Sequence, residues 1–159
     1  MQILISLEGD PEARFHEIAT NTKVRDLTKR FHDDVPEAAA WVVDHDEALS
    51  PGHTLGELKI AEHDEILIAR RTEIEVTVEY NRVTKQNSFP PQRKMRRVFD
   101  WAAGKDGFAL ARDQRPEHVL VPLGSTDAVD PQLPVAAYAD RDKKARFELR
   151  RKDSYQGTS

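Results

Sequence analysis

The first half of the chain begins with two apolar stretches separated by a turn. Ile3, Ile5 and Leu7 alternate with polar residues, and a second stretch starts at Phe15 after the turn-forming residues 9–11. Strict alternation is typical of a strand that buries one face. The pattern therefore predicts a β-hairpin at the start of the chain.

Helical spacing replaces the alternation after this hairpin. Val24, Leu27 and Phe31 recur at i, i+3 and i+7, which places them on one face of a helix. Asn21 or Thr22 precedes this stretch, and the side chain of either residue can cap the helix. The sequence predicts a single amphipathic helix here.

Two more strands are predicted after the helix. One covers residues 41–43 and ends at the charged turn 44–47, and the other covers residues 66–69 and ends at Arg70-Arg71. The order strand, strand, helix, strand, short element, strand within about 70 residues is that of a β-grasp fold, in which one helix covers one face of a mixed sheet.

The second half repeats this order less regularly. Residues 73–80 alternate strictly and predict a strand, and Gly104 is placed to end a helix. The predicted helix carries one apolar stripe, made of Met95, Val98, Phe99 and Ala102. Further strands are predicted at residues 107–111, 118–123 and 145–149, and the last leads to Arg150-Arg151. The expected fold class is α+β, with two tandem β-grasp domains.

The expected domains cover residues 1–71 and residues 72–151, followed by a flexible tail at 152–159. Almost no linker separates the two domains, because the strand that starts near residue 73 follows Arg71 directly. A restricted angle between them is therefore expected.

The first half resembles the ubiquitin family. Residues 52–55, followed by Leu58, Ile60 and the strand at 66–68, are similar to the second half of ubiquitin-like domains. Two fused ubiquitin-like domains with an irregular second copy and a short tail resemble the modifiers of bacterial ubiquitination-like operons. Their layout is similar to that of the interferon-induced tandem ubiquitin-like protein of vertebrates.

This resemblance implies a covalent modifier that takes part in defence against phage. In such modifiers an activating enzyme adenylates a C-terminal carboxylate, a conjugating enzyme carries the acyl group, and an amine of a target protein receives it. A deconjugating peptidase trims the precursor, and phage virion proteins are possible targets. On this hypothesis the trimmed end is Gly157, because a residue without Cβ fits a narrow enzyme channel.

The tail has the length that such an enzyme requires. Seven peptide steps from Arg150 to Gly157 span roughly 23 Å at about 3.3 Å per residue. The residues assigned to processing and conjugation are Gly157, Gln156, Tyr155 and Thr158, and those assigned to enzyme recognition are Arg150 and Arg151.

Two surfaces are predicted to meet partners. Trp41 and Val43 point to one side of their strand, and Leu67 is expected to share this open sheet face; packing against the second domain is the alternative. A basic patch lies at the start of the second helix, formed by Arg93, Lys94, Arg96 and Arg97. Contact with an acidic protein surface is the preferred interpretation of this patch, and a solvated face is the alternative. Nucleic-acid binding through residues 93–97 is a third, weaker hypothesis, because few stacking aromatic side chains are near.

Charge is distributed unevenly between the halves. Residues 1–71 hold 8 Lys+Arg and 15 Asp+Glu, a net charge of -7, whereas residues 72–159 hold 16 and 13, a net charge of +3. The two halves therefore present different electrostatic surfaces to partners.

Composition excludes several kinds of chemistry. The chain has no cysteine, which removes disulfides, thiolate metal sites and a cysteine nucleophile. Its six histidines are scattered without metal-ligand spacing, and no phosphate loop or catalytic motif is present. We expect neither an enzyme nor a cofactor or metal. The absence of a membrane-spanning stretch predicts a cytoplasmic protein without a membrane partner.

A second function remains open from the sequence. The chain can instead be an adaptor or scaffold that is not conjugated and binds partners through its sheet faces. Deleting residues 152–159 would then leave partner binding unchanged.

Overall fold

The alternating stretches of the sequence form strands and the two helical stripes form helices. The structure is a computed structural model that describes residues 1–152. Its elements are, in chain order, β1 (Gln2–Leu7), β2 (Asp10–Glu17), α1 (Val24–Arg30), β3 (Ala39–Val42), β4 (Glu65–Ala69), β5 (Ile74–Tyr80), β6 (Val83–Phe89), α2 (Met95–Ala103), β7 (His118–Pro122) and β8 (Lys144–Arg151). Two short 3₁₀ helices, Arg115–Glu117 and Val135–Tyr138, lie beside β7 and β8 in the sequence.

The strands form two four-stranded mixed sheets with the same topology. The strand orders are β2-β1-β4-β3 and β6-β5-β8-β7. In each sheet the first and last strands of the half pair in parallel, and the outer pairs are antiparallel. Two such sheets, each with one helix, fit two ubiquitin-like β-grasp domains. The predicted boundary after residue 71 stays a prediction, and it falls between β4 and β5.

The helix of the first half covers one face of its sheet. Val24 and Leu27 of α1 pack with apolar side chains of β1 and β4 in one buried cluster. Burying these side chains removes apolar surface from water and stabilises this half. The opposite face of the same sheet stays available for a second contact.

The start of each helix is closed by a loop rather than by a capping side chain. Lys23 and Lys94 occupy the N-cap positions, and neither side chain makes a capping hydrogen bond. Asn21 and Thr22 are therefore not the caps that the sequence predicted. The N–H groups of the first turns donate instead to loop carbonyls: Val24 to His53 (3.0 Å), Arg25 to Pro51 (3.1 Å), Met95 to Leu133 (2.8 Å) and Arg96 to Pro131 (2.9 Å). The internal repeat thus extends to individual hydrogen bonds.

The second half departs from the sequence prediction at two places. Residues 107–111 form turns and irregular backbone, so the strand predicted there is wrong. The antiparallel neighbour of β5 is β6, a strand that the sequence pattern did not indicate. The predicted end of α2 is confirmed, because Gly104 is its C-cap.

Neither helix among residues 1–152 has the length and apolar character that crossing a membrane requires.

Candidate functional site

The C-terminal end of β8 carries the arginine pair that precedes the tail. β8 lies inside its sheet, between β5 and β7. Arg150 and Arg151 are the last residues of this strand, whereas Arg70-Arg71 follow the end of β4. The main chain at the base of the tail is therefore fixed by sheet hydrogen bonding.

Both arginines of this pair have carboxylate neighbours. Arg150 Nη2 lies 2.9 Å from Glu148 Oε2, and this hydrogen bond raises the pKa of Arg150 above its ordinary value. Arg151 Nη2 lies 3.6 Å from Glu117 Oε2. The side chains remain partly exposed, so the pair is accessible to another protein.

The residues assigned to processing and conjugation lie outside the described residues. These are Tyr155, Gln156, Gly157 and Thr158. The predicted flexible tail lies there as well, apart from its first residue, Lys152.

The predicted recognition face of the first sheet is buried between the halves. Trp41 and Val43 are each 5% exposed, and Leu67 is fully buried. All three belong to the same apolar cluster as the core of the second half, together with side chains such as Val135 and Ala136. The expectation of an open binding face is therefore corrected. These side chains pack against the second half, which was the alternative interpretation.

Two residues of the basic patch are paired with the first half of the same chain. Arg93 Nη1 lies 3.1 Å from Asp44 Oδ1, and Arg97 Nε lies 3.0 Å from Asp44 Oδ2. Arg93 Nη2 also lies 3.2 Å from Asp46 Oδ1. The acidic surface that these two arginines contact is the turn after β3. The sequence predicted contact with a separate acidic protein. Arg93 and Arg97 instead contact an acidic turn of their own chain.

Asp44 is the centre of this ionic contact. Burial raises the pKa of its carboxyl, but hydrogen bonds from Arg93 and Arg97, the positive charge of Arg97 and a backbone hydrogen bond from Lys94 together lower it by more, so the pKa of Asp44 lies below its ordinary value. Its backbone N–H donates to the carbonyl of Gln92 at 2.7 Å, and its φ of 70° lies in the left-handed region. Asp tolerates this conformation better than most residues.

The other two residues of the basic patch point elsewhere. Lys94 Nζ donates to Gln132 Oε1 at 3.0 Å. Arg96 is exposed and forms no ion pair within residues 1–152. The four basic residues therefore do not act as one surface.

A second polar contact joins the halves near the start of β2. Within the first half, Arg70 forms a part-buried ion pair with Glu8 through its Nε, 2.8 Å from Glu8 Oε2, and this hydrogen bond raises the pKa of Arg70. The same guanidinium donates to the carbonyl of Arg141 at 3.4 Å. The N–H of Gly9 donates to the carbonyl of Ala136 at 2.9 Å. Polar contacts thus flank the buried apolar contact.

The sequence contains a signal for this contact. The acidic turn 44–47 holds three carboxylates in four residues, and the cluster 93–97 holds four basic residues in five. Complementary runs in adjacent domains without a linker favour an internal contact. In the described part of the chain, no three His, Asp or Glu side chains gather in a way that could hold a metal ion.

The second half matches a known family. Residues 75–152, which include nearly all of β5 and every later element, match the model of the family described as BilA ubiquitin-like domain 2. None of the curated proteins matches the chain. The family match supports a bacterial ubiquitin-like protein of the BilA type.

Proposed function

We propose that this chain is a ubiquitin-like modifier of a bacterial ubiquitination-like pathway that acts in antiphage defence. The observation that supports this proposal is the match of residues 75–152 to BilA ubiquitin-like domain 2. The matched segment ends directly after β8. Ubiquitin-like domains generally serve as modifiers or adaptors, so the proposal gives the chain no catalytic role. In this proposal the chain acts in the cytoplasm.

The proposed reaction uses the carboxylate of Gly157 after a peptidase has removed the residues that follow it. The carboxylate attacks the α-phosphate of ATP and releases pyrophosphate, which leaves an acyl adenylate on the activating enzyme. A nucleophile of the enzymes then takes the acyl group and releases AMP. The amine of a target lysine finally displaces that nucleophile and forms an isopeptide bond.

The described residues support the geometry of this reaction. β8 is held on both sides by β5 and β7, so the tail starts from a fixed point. Arg150 and Arg151 stand at that point and offer cationic groups to an enzyme that grips the tail. The proposal assigns them to enzyme recognition, and Tyr155, Gln156 and Thr158 to processing.

Intact-mass spectrometry of the chain co-expressed with its neighbouring genes tests the proposal. We expect a chain shortened by Thr158 and Ser159, and heavier adducts in which the Gly157 carbonyl is linked to a lysine amine. Gly157→Val should abolish the adducts because a branched side chain does not fit the enzyme channel.

Gly52→Ala is the matched control. A Cβ at Gly52 meets no atom within 4 Å, so this variant should conjugate normally. Persistence of the full-length chain without adducts, in the presence of the neighbouring enzymes, would overturn the proposal.

The alternative is an adaptor that is not conjugated. Its predicted binding face at Trp41, Val43 and Leu67 is buried, which weakens it. Retention of partner binding and of defence after deletion of residues 152–159 would favour the adaptor.

A further inference from the structure

An apolar groove lies between α2 and β7, close to the end of β8. Its volume is about 260 Å³. The apolar lining comes from α2, from β7 and from the loops next to them: Met95, Phe99, Pro116, Val119, Leu120, Val129 and Pro131. A cavity of this size and lining suits one or two large apolar side chains of a ligand.

The charged residues of this groove are all cations. Arg96, Arg115 and Lys152 line it, and no carboxylate does so within residues 1–152. The nearby carboxylate of Glu117 is directed to Arg151. Arg96 forms no ion pair among the described residues, although it belongs to the basic patch whose other arginines bind Asp44. The rim therefore attracts negative charge that the described chain does not supply.

The groove is also lined by a buried histidine, His118. His118 is buried, and its Nδ1 lies 2.7 Å from the carbonyl of Gln114. A carbonyl only accepts, so Nδ1 carries the proton, and in the neutral ring Nε2 is an acceptor. Nε2 has no hydrogen-bond partner in the described part of the chain. Buried polar atoms without partners are uncommon in native proteins.

We propose that this groove binds an acidic peptide segment of a partner protein. An apolar side chain of the segment fills the groove between Met95 and Val129, and carboxylates on either side of it contact Arg96 and Lys152. The proposal goes beyond the proposed function, because it requires neither Gly157 nor conjugation. It also identifies a binding surface on a different part of the molecule from the buried sheet face.

The apolar lining distinguishes this ligand from a nucleic acid. Binding of single strands needs aromatic rings on which bases stack, together with a basic track for phosphates. Among residues 1–152 the lining contains a single phenyl ring, that of Phe99, and it is half-buried against the core of the second half. Charge complementarity and an apolar floor together favour a peptide.

Titration of the full-length ¹⁵N-labelled chain with short peptides tests this proposal by NMR. In the first pool, each peptide has a single Leu or Phe and two carboxylate side chains, one on each side of it. A second pool replaces the carboxylates by amides, and a third replaces the Leu or Phe by Gly. We expect the first pool alone to bind, with shift changes centred on Met95, Phe99, His118 and Val129.

Two charge-neutralising variants make the test specific. Arg96→Gln should weaken binding of the first pool by about 5-fold, the effect of losing one exposed charge pair of about 1 kcal/mol. Arg82→Gln removes the same charge at the exposed β5–β6 turn, which does not line the groove, and should leave binding unchanged.

Three results would overturn the proposal. They are equal binding of the amide pool, shift changes centred outside the groove, and no binding of the first pool at millimolar concentration. Intact-mass measurement of Arg96→Gln distinguishes these results from a failure of the proposed function. This variant should still be conjugated, because the groove is not needed for attachment at Gly157.

Discussion

At the scale of single residues, Asp44 contributes most to the ionic contact between the halves. Its side chain is 14% exposed and that of Arg93 is 19% exposed. Asp44→Asn keeps a residue that tolerates the left-handed backbone but removes the charge that Arg93 and Arg97 share. We expect the free energy of unfolding to fall by roughly 1–3 kcal/mol, because partly buried Arg93 then keeps only the exposed carboxylate of Asp46 as a counter-charge. Urea denaturation measures this change.

Asp46→Asn is the control for this prediction. Asp46 also pairs with Arg93, but its side chain is 87% exposed. An exposed pair contributes little, so the expected change is within about 0.5 kcal/mol. Equal losses from both variants would contradict the central role of Asp44.

The same carboxylate gives the contact between the halves a defined pH dependence. The pKa of Asp44 is lower in the folded chain than in the unfolded chain. Its contribution is therefore fully present above the ordinary Asp pKa of about 3.9, and it is lost as the pH falls through the lower folded-state pKa. The stability difference between the wild-type chain and Asp44→Asn should shrink as the pH is lowered from about 5 towards 2. Urea denaturation at a series of pH values measures it, and a constant difference would contradict the assignment.

At the scale of elements, the sequence pattern did not predict the β5–β6 hairpin. Its two turn residues, Asn81 and Arg82, have φ values of 51° and 66°, as a tight hairpin turn requires. Arg82 lacks the conformational freedom of glycine, which is the common residue at this position. Arg82→Gly should therefore raise the free energy of unfolding by roughly 0.5–1 kcal/mol, measured by thermal denaturation.

A glycine at an ordinary backbone position should not have this effect. Arg112 is exposed and has no positive φ, so Arg112→Gly provides the control. Its expected effect is neutral or slightly destabilising, because glycine increases the entropy of the unfolded chain. Similar stabilisation by both variants would contradict strain at the hairpin turn.

Physical reasons account for both differences between the predicted and observed second half. β6 is an edge strand with mostly exposed polar residues, so it lacks the alternation that identified β5. Residues 107–111 are apolar because they fold back onto α2: the N–H of Phe108 donates to Ala102 at 2.7 Å, and its ring contacts Tyr80. Apolar content reports burial, and it did not distinguish a buried loop from a strand.

At the scale of the whole molecule, the sequence predicted the fold of each half better than the contact between them. Alternation and helical spacing depend on neighbouring residues, and these patterns located β1, α1, β5 and α2. Whether Trp41 faces solvent or a second domain depends on residues more than 50 positions away, such as Gln92 and Val135. Local patterns contain no such information. The groove beside α2 was not predicted for the same reason, because its lining comes from separate segments.

The shared apolar cluster predicts that the two halves unfold together. Trp41 belongs to the first sheet but packs in the cluster that contains the core of the second half. Trp41→Ala should lower the free energy of unfolding by roughly 3–5 kcal/mol. Amide hydrogen exchange should show that protection falls in β4 and in β5 alike, since either half loses its covering surface when they separate. Calorimetry should give one transition for the wild-type chain.

Phe15→Ala is the control for Trp41→Ala, because it removes an exposed aromatic side chain from the same sheet. Phe15 lies on β2 of the same sheet and is 56% exposed, so its replacement should cost less than about 1 kcal/mol and leave exchange in β5 unchanged. If Trp41→Ala reduced protection in the first half alone, the halves would be independent domains. The face containing Trp41, Val43 and Leu67 would then be free to open, and the adaptor function would regain its binding surface.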